Sequence, residues 1–218
     1  MEDKLVEILQ NITSNGNILV LLLSAFPLIE LKGAIPVGLK AGISVWQSGV
    51  LGYIGSTLVS IPLFFLLIPV FNLLKKIPFI KKLILKIEGV FHNKAIKLAL
   101  SAYEKKGKAG TLNDGELDDH ARKILTKALL IFVAVPFPVT GVWTGTAIGV
   151  FLGLKFKEVF PAIILGNLIA GTIITLLTAF LSAYVDLIIY VLLAIAIIML
   201  IILIIKIAIT PEKQEDNN

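Results

Sequence analysis

The sequence predicts an all-α integral membrane protein: an inverted repeat of a re-entrant helical hairpin plus a transmembrane helix, with an extra C-terminal transmembrane helix. The chain of 218 residues is 57% hydrophobic and 16% charged, with a mean hydropathy of +0.94, far more apolar than a soluble domain. Residues 24–62 also align without a gap on residues 135–173, at an offset of 111 positions. The identical pairs are Phe26 and Phe137, Pro27 and Pro138, Gly38 and Gly149, Gly42 and Gly153, and Gly55 and Gly166.

Three segments are long and apolar enough to cross about 30 Å of hydrocarbon as helices. The first is the span 47–74 of the first repeat (17–74), and the second is the span 157–181 of the second repeat (123–181). The C-terminal span is residues 184–206, an apolar run with Asp186 near its start. We therefore expect a single membrane domain over residues 1–218 that crosses the bilayer several times.

The middle of the chain, residues 75–122, is a basic connection between the repeats. Thirteen of the 20 Lys and Arg residues lie in residues 75–127, together with six acidic residues. Because Lys-rich and Arg-rich loops stay in the cytoplasm, we expect this connection and the C-terminus to be cytoplasmic, in the plasma membrane of a prokaryote. Residues 79–103 have the pattern of an amphipathic helix, lying on an anionic leaflet or on the bundle. Without interleaved aromatic residues, nothing here indicates a nucleic-acid partner.

Each repeat opens with an apolar segment that helix breakers divide into two short pieces. Residues 17–31 and 33–43 are each too short to cross, and they meet at Pro27, Glu30, Gly33 and Pro36. Residues 123–135 and 141–153 meet in the same way at residues 136–141. Proline removes an amide donor and glycine weakens a helix. We therefore predict re-entrant hairpins over 17–43 and 123–153, entering from opposite sides, with tips that face each other near the bilayer centre.

The alternative is that each broken segment is a kinked transmembrane helix, because membrane helices tolerate proline. If residues 17–43 cross completely, the first repeat gains a span and the N-terminus moves to the cytoplasm. The excess of Glu2, Asp3 and Glu7 over Lys4 favours an N-terminus outside the cell.

Glu30 and Lys32 are charges inside an apolar segment, beside the first predicted tip. Such charges cost roughly 2.5–3.5 kcal/mol each near the bilayer centre, and they usually face a pathway or each other. Glu30 could exchange a proton or a cation, and Lys32 could bind an anionic group of a substrate. Alternatively, the two residues neutralise each other or cap exposed helix ends.

The second tip has no acid, but it can bind an anion through amides and hydroxyls. Pro138 breaks the segment, Gly141 begins the next helix, and Thr140 and Thr144 offer hydroxyl groups next to Trp143. Amides at a helix N-terminus favour an anion such as a phosphate.

Three further polar residues are candidates near the second hairpin. Asn167, which aligns with Ser56, could bond a tip, contact the substrate or close the hairpin onto its span. Arg122 and Lys127 lie at the cytoplasmic entrance, where they could guide an anionic headgroup or serve as ordinary positive-inside anchors.

The sequence does not predict an enzyme or a cofactor. It lacks cysteine, has two histidines, both in the polar middle, and contains neither a nucleophile-and-base pattern nor a phosphate-binding motif. Glycines at every fourth position from 141 to 153 allow close helix packing, and a homodimer is compatible with them.

The two breaks resemble a known family. Glu30-Leu-Lys-Gly-Ala-Ile-Pro36, followed by Gly38, and Val135-Pro-Phe-Pro-Val-Thr-Gly141-Val-Trp-Thr-Gly145 resemble the small multidrug export protein family, over roughly residues 17–181. That family is similar to the DedA (VTT-domain) superfamily, so the resemblance implies a DedA-like fold with paired re-entrant loops. It also implies movement of phospholipid or polyprenyl-phosphate carriers across the bilayer, coupled to H⁺ or Na⁺, with Glu30 as the membrane-embedded acid.

Three functions are therefore open. The first is an ion-coupled flippase or translocase of an anionic lipid or polyprenyl-phosphate-type carrier, with membrane lipids as its partners. The second is a proton-coupled exporter of small amphipathic or cationic compounds that bind Glu30. The third is a non-transporting scaffold that organises the membrane.

Overall fold

The computed structural model describes residues 13, 15–77, 80–87, 89, 119–137 and 140–209, and its regular elements within these ranges are helical. Residues 80–87 are helical, and the rest of the predicted connection lies largely outside the described residues. The main helices are α1 (Gly16–Ala25), α2 (Glu30–Lys40), α3 (Val45–Leu74), α4 (Asp119–Ala134), α5 (Val142–Phe151), α6 (Phe156–Phe180) and α7 (Val185–Ile209), with a 3-10 turn at Ser182–Tyr184.

Three helical segments have the length and composition to cross a membrane: Val45–Leu74, Phe156–Phe180 and Ser182–Ile202. They match the predicted spans 47–74, 157–181 and 184–206 within a few residues, except that the apolar stretch of the third ends earlier. The 30 residues of α3 extend about 45 Å at 1.5 Å per residue, more than the hydrocarbon core requires. The prediction of an all-helical membrane protein is confirmed.

Two short helices precede α3, and the break between them lies earlier in the chain than predicted. α1 has 10 residues and α2 has 11, so each is about 15 Å long, roughly half of the hydrocarbon thickness. Helical bonding resumes as soon as Glu30, whose amide donates to the Phe26 carbonyl at 3.0 Å. The break covers residues 26–29, earlier than the predicted junction between 17–31 and 33–43, and Gly33 and Pro36 lie inside α2.

The first break contains strained backbone. Leu28 has φ 78° and Glu30 has φ 49°, in the left-handed region that side chains other than glycine rarely occupy. Each such residue costs on the order of 1–3 kcal/mol and persists only where surrounding contacts fix it. The contacts of Glu30, described below, supply that constraint.

The three helices of the first half pack with alternating directions. The start of α1 lies beside the start of α3, because the Gln47 side-chain amide donates to Asn17 Oδ1 at 3.0 Å. Close approach continues at Gly55, where a Cβ would lie 2.7 Å from the Leu21 carbonyl oxygen. α2 runs in the opposite sense, since the position of a Cβ on Gly38 is 2.6 Å from Val20 and in contact with Ser48.

The second half repeats this arrangement with a larger core. The starts of α4 and α6 are joined by Arg122 and Glu158 at 3.1 Å, and a Cβ on Gly145 would lie 2.5 Å from Val133 across the α4–α5 contact. The buried apolar side chains that share this core are Leu125, Leu129, Val133, Val142, Ile148, Leu154, Val159, Ala162 and Ile163.

The two halves meet along α3 and α6, which run in opposite directions. Asn167 bonds Ser56 at 2.7 Å near the middle, and the rings of Phe64 and Phe156 lie 5.3 Å apart nearer one end. Consequently α1 begins at one end of the bundle and α4 begins at the other. α7 lies along α2 and is attached near its start by an ion pair of Asp186 with Lys40.

Candidate functional site

The two helix breaks meet around a buried ion pair. Glu30 and Lys32 lie in the first turn of α2, and they are only 8% and 5% exposed. Lys32 Nζ donates to Glu30 Oε2 at 3.2 Å. Burial of two charges is tolerated only when each has partners that replace water, and these partners come from the second break.

Lys32 has a complete set of acceptors. An ammonium group has three N–H donors. Besides Glu30, Lys32 Nζ donates to the Phe137 carbonyl at 2.8 Å and to the Thr140 carbonyl. Both carbonyls belong to the backbone of the second break. In this conformation the lysine therefore holds the two breaks together, with each of its donors engaged.

Glu30 binds the N-terminus of α5. The Trp143 amide donates to Glu30 Oε1 at 3.2 Å, and Trp143 is the second residue of that helix. The first amides of a helix lack intrahelical acceptors and carry partial positive charge, so a carboxylate there is favourable. Gly141 makes the approach possible, because a Cβ on it would lie 2.6 Å from Glu30 Oε1 and in contact with Oε2.

The indole of Trp143 forms the return contact to the first break. Its Nε1–H donates to the carbonyl of Ala25 at 3.0 Å, the last residue of α1. A carbonyl at a helix C-terminus needs such an external donor, above all when no water reaches it.

These contacts are reciprocal between the two aligned segments of the sequence. Glu30 touches Gly141, its counterpart at the offset of 111 positions, and Lys32 is the counterpart of Trp143. Lys32 donates to main-chain carbonyls of the second break, and Trp143 donates to the carbonyl that precedes the first.

The other residues predicted at the tips have smaller roles in this cluster. The Thr140 hydroxyl lies 2.7 Å from the Val135 carbonyl and 2.8 Å from that of Phe137, within its own break. Thr144 is half-buried in the first turn of α5. Gly33 and Pro36 lie farther along α2, and Pro138 is outside the described residues.

Asn167 lies away from both breaks. It is 3% exposed and donates to Ser56 at 2.7 Å and to Thr57 at 2.8 Å. The structure thus places it between α3 and α6, where it joins the two long helices instead of a tip.

Arg122 and Lys127 differ in their surroundings. Arg122 donates to Glu158 at 3.1 Å and to the Gly153 carbonyl at 3.3 Å, so it fastens α4 to the start of α6. Lys127 is exposed on α4. The role of either residue in guiding a headgroup stays a prediction.

Sequence reasoning did not identify the main-chain acceptors of Lys32 or the indole contact of Trp143. Carbonyl oxygens have no signature in a sequence, so only the fold could show which of them face Lys32. The alignment of the repeats did contain one signal, because it places Glu30 opposite Gly141 and Lys32 opposite Trp143.

The fold and this cluster define the class of the protein. Long apolar helices that can cross a bilayer accompany two broken helices that meet around a buried ion pair, an organisation suited to a transporter. The chain belongs to the family described as "Putative small multi-drug export protein", whose model matches residues 30–173, well over half of the chain. It is therefore a membrane protein of a transporter class. Comparisons with curated proteins and with solved structures gave no match.

Proposed function

We propose that the protein is an ion-coupled membrane transporter in which the Glu30–Lys32 pair locks two re-entrant breaks together. The observation that carries this proposal is the closed set of contacts at the breaks. The three donors of Lys32 are engaged, and the carboxylate of Glu30 occupies the N-terminus of α5. A substrate can enter this site only if the pair opens.

Several distances support an inverted repeat about an axis in the membrane plane. Two residues related by such an axis can touch only if they lie close to it. Ser56 bonds Asn167, its counterpart at 111 positions, and Glu30 contacts its counterpart Gly141. The starts of α1 and α4 lie at opposite ends of the bundle, as alternating access in inverted repeats requires.

The lengths of α1 and α2 support re-entrant hairpins over kinked spans. Each is about 15 Å long, and α2 returns alongside α1 toward the end where α1 began. The polar backbone of both breaks then lies at membrane depth, where lipid could not satisfy it, and the donors of Lys32 and Trp143 engage carbonyls beside or within the breaks. We place residues 75–122 and the C-terminus in the cytoplasm, from the basic composition of the connection.

Proton uptake by Glu30 is the proposed coupling step. A protonated carboxyl group no longer neutralises Lys32 or the α5 N-terminus, and an uncompensated buried ammonium is unfavourable by several kcal/mol. An anionic group of the substrate can take the place of the carboxylate. Proton uptake by Glu30 and binding of the anionic group promote each other, because both shift the same equilibrium between the closed and the open ion pair.

This geometry favours an anionic amphiphile as the substrate, such as an anionic lipid or a polyprenyl-phosphate-type carrier. The vacated site would present one ammonium and one helix N-terminus, both of which attract anions. In the alternative, a small cationic or amphipathic compound replaces Lys32 as the partner of Glu30. The description of the family as an exporter favours this alternative. The relation to the DedA superfamily stays a prediction.

The test is transport by the purified protein in vesicles. A fluorescent anionic phospholipid reports movement between leaflets, and an entrapped dye reports proton flux, with pH or Na⁺ gradients imposed in turn. We expect gradient-dependent lipid movement that is lost in Glu30→Gln and retained in Asp119→Asn, a matched change at an exposed carboxylate on α4.

The other outcomes separate the alternatives. Full gradient-dependent movement in Glu30→Gln would remove the coupling role of this residue. Proton flux stimulated by cationic compounds, without lipid movement, would establish the exporter. No gradient-dependent flux of any kind, with Glu30→Gln and Lys32→Gln both harmless, would favour the scaffold.

A further inference from the structure

An apolar cleft of about 380 Å³ lies between α2 and α7 and ends at the first break. Its inner end is formed by residues 26–29, one wall by Gly33 and Val37 of α2, and the other by the face of α7 from Ile189 to Leu200. The one charged residue among those that line it is Lys32, at the inner end. α7 lies outside the residues that the family model matches.

Gly33 lines the cleft beside the break, where there is little room for a side chain. A Cβ at this position would already lie 2.8 Å from the Ile29 side chain. A larger residue here would be crowded against Ile29, which lines the same end of the cleft.

The end of the cleft away from the first break, called its mouth, lies about one helical turn from an ion pair outside the lining. Lys40 lies three residues beyond Val37, and Asp186 lies three residues before Ile189, so their ion pair lies just past the last lining residues. The side chains are 23% and 49% exposed. From Ile189 to Leu200 the cleft follows α7 for about 16 Å. A long apolar interior with a charged mouth matches a molecule with one hydrocarbon chain and a polar head.

We infer that this cleft binds a single-chain amphiphile, with its head at the Lys40–Asp186 pair and its chain end against the first break. The volume lies within the range of sites for drug-sized molecules, roughly 300–1,000 Å³, and it is too small for both chains of a membrane phospholipid. The charges of Lys40 and Asp186 sum to zero, so the protein recognises the amphiphile mainly through its hydrocarbon chain. The binding follows from the cleft alone and does not require coupling through Glu30.

Photo-crosslinking tests the position of the chain. Two neutral single-chain amphiphiles, one with a diazirine next to the head and one with it at the chain end, are added to the protein in phosphatidylcholine vesicles. The head-proximal probe should label Val37 and Ile189, and the chain-end probe should label residues 26–29. Labelling should saturate, and the same amphiphile without a diazirine should compete while additional phosphatidylcholine should not.

A matched pair of variants tests the cleft. Leu193 lines it and Val191 does not, although the two side chains are 49% and 47% exposed. Leu193→Trp should reduce labelling of residues 26–37 by about tenfold, the change expected from roughly 1.4 kcal/mol of lost affinity, and Val191→Trp should leave it unchanged.

Three results would overturn the inference. They are labelling that does not saturate, labelling spread over α3, α6 and α7 in proportion to exposure, and two probes that label the same residues. Because these readouts require no transport, Glu30→Gln should still be labelled at the cleft. Transport that persists in Glu30→Gln would therefore contradict the proposed function alone. Wild-type protein that is not labelled at the cleft would contradict the cleft inference alone.

Discussion

Removing the two charges of the Glu30–Lys32 pair singly and together gives the sharpest test of the proposed lock, in which this pair holds the two breaks together. Lys32→Met leaves the Glu30 carboxylate buried at 8% exposure, with the Trp143 amide as its remaining described donor. Loss of one partner of a buried pair costs about 3–5 kcal/mol of stability. Glu30→Gln is neutral like the protonated carboxyl group, so Lys32 retains the Phe137 and Thr140 carbonyls but loses its counter-charge, and we expect a comparable cost of about 3–5 kcal/mol.

The double variant, Glu30→Gln with Lys32→Met, should lose less unfolding free energy than the two single variants lose together. With both charges removed, no uncompensated charge stays buried, and replacement of an entire buried pair is often nearly neutral. Because each single variant should cost about 3–5 kcal/mol and the double variant much less, we expect a coupling energy of at least about 3 kcal/mol between positions 30 and 32, at or above the upper end for residues in contact.

Trp143 provides the assay. In a Trp46→Phe background it is the remaining tryptophan, and its indole donates to the Ala25 carbonyl at the site itself. Unfolding by denaturant in mixed micelles is followed by the fluorescence emission of Trp143. It gives the unfolding free energies of the unmodified pair, the two single variants and the double variant. Lys127→Met, at an exposed lysine of α4, is the control and should change stability by less than about 0.5 kcal/mol. Additive effects at positions 30 and 32 would refute the lock.

Three further changes test other contacts. Gly141→Ala should push the Glu30 carboxylate away from the α5 N-terminus, because its Cβ would lie 2.6 Å from Oε1; the measurement is a shift in Trp143 emission, and an unchanged spectrum would contradict the described approach. Asn167→Ala removes two buried bonds between the long helices and should cost about 1–2 kcal/mol of unfolding free energy at roughly 0.6 kcal/mol or more per bond. Arg122→Gln removes a partly exposed ion pair; it should cost at most about 1 kcal/mol and less at high salt, and a salt-independent loss would argue against an ionic contribution.

The sequence was sufficient to predict the long helices and insufficient to define the first break. Apolar runs long enough to cross a bilayer have few alternative structures, so α3, α6 and α7 follow from composition and length. At the break, Pro27, Gly33 and Pro36 have equal weight as helix breakers in a sequence. The fold decides among them, because left-handed backbone at Leu28 and Glu30 lets the helix restart before Gly33 is reached.

At the candidate site, too, the sequence indicates some of the residues and only the fold reveals the others. Glu30 and Lys32 could be selected from the sequence, because charges in apolar segments are costly and seldom retained without a role. Their partners could not, since the Phe137 and Thr140 carbonyls acquire significance only when the halves fold together. The α5 N-terminus, predicted to bind an anion of the substrate, contacts the protein's own carboxylate in this conformation.

Under the proposed inverted repeat, the contacts between counterparts also explain why the second break has no acid. Residues close to a two-fold axis meet their own counterparts, so an acid at both position 30 and position 141 would bring two carboxylates together in a buried site. Like charges that share such a site cannot both ionise without a large cost. Gly141 removes that conflict and leaves room for Glu30 to reach the helix N-terminus. The same reasoning applies to Asn167 and Ser56, where unlike residues let a donor meet an acceptor. The repeat must therefore differ in chemistry at the axis, and the functional charges are expected in one half alone.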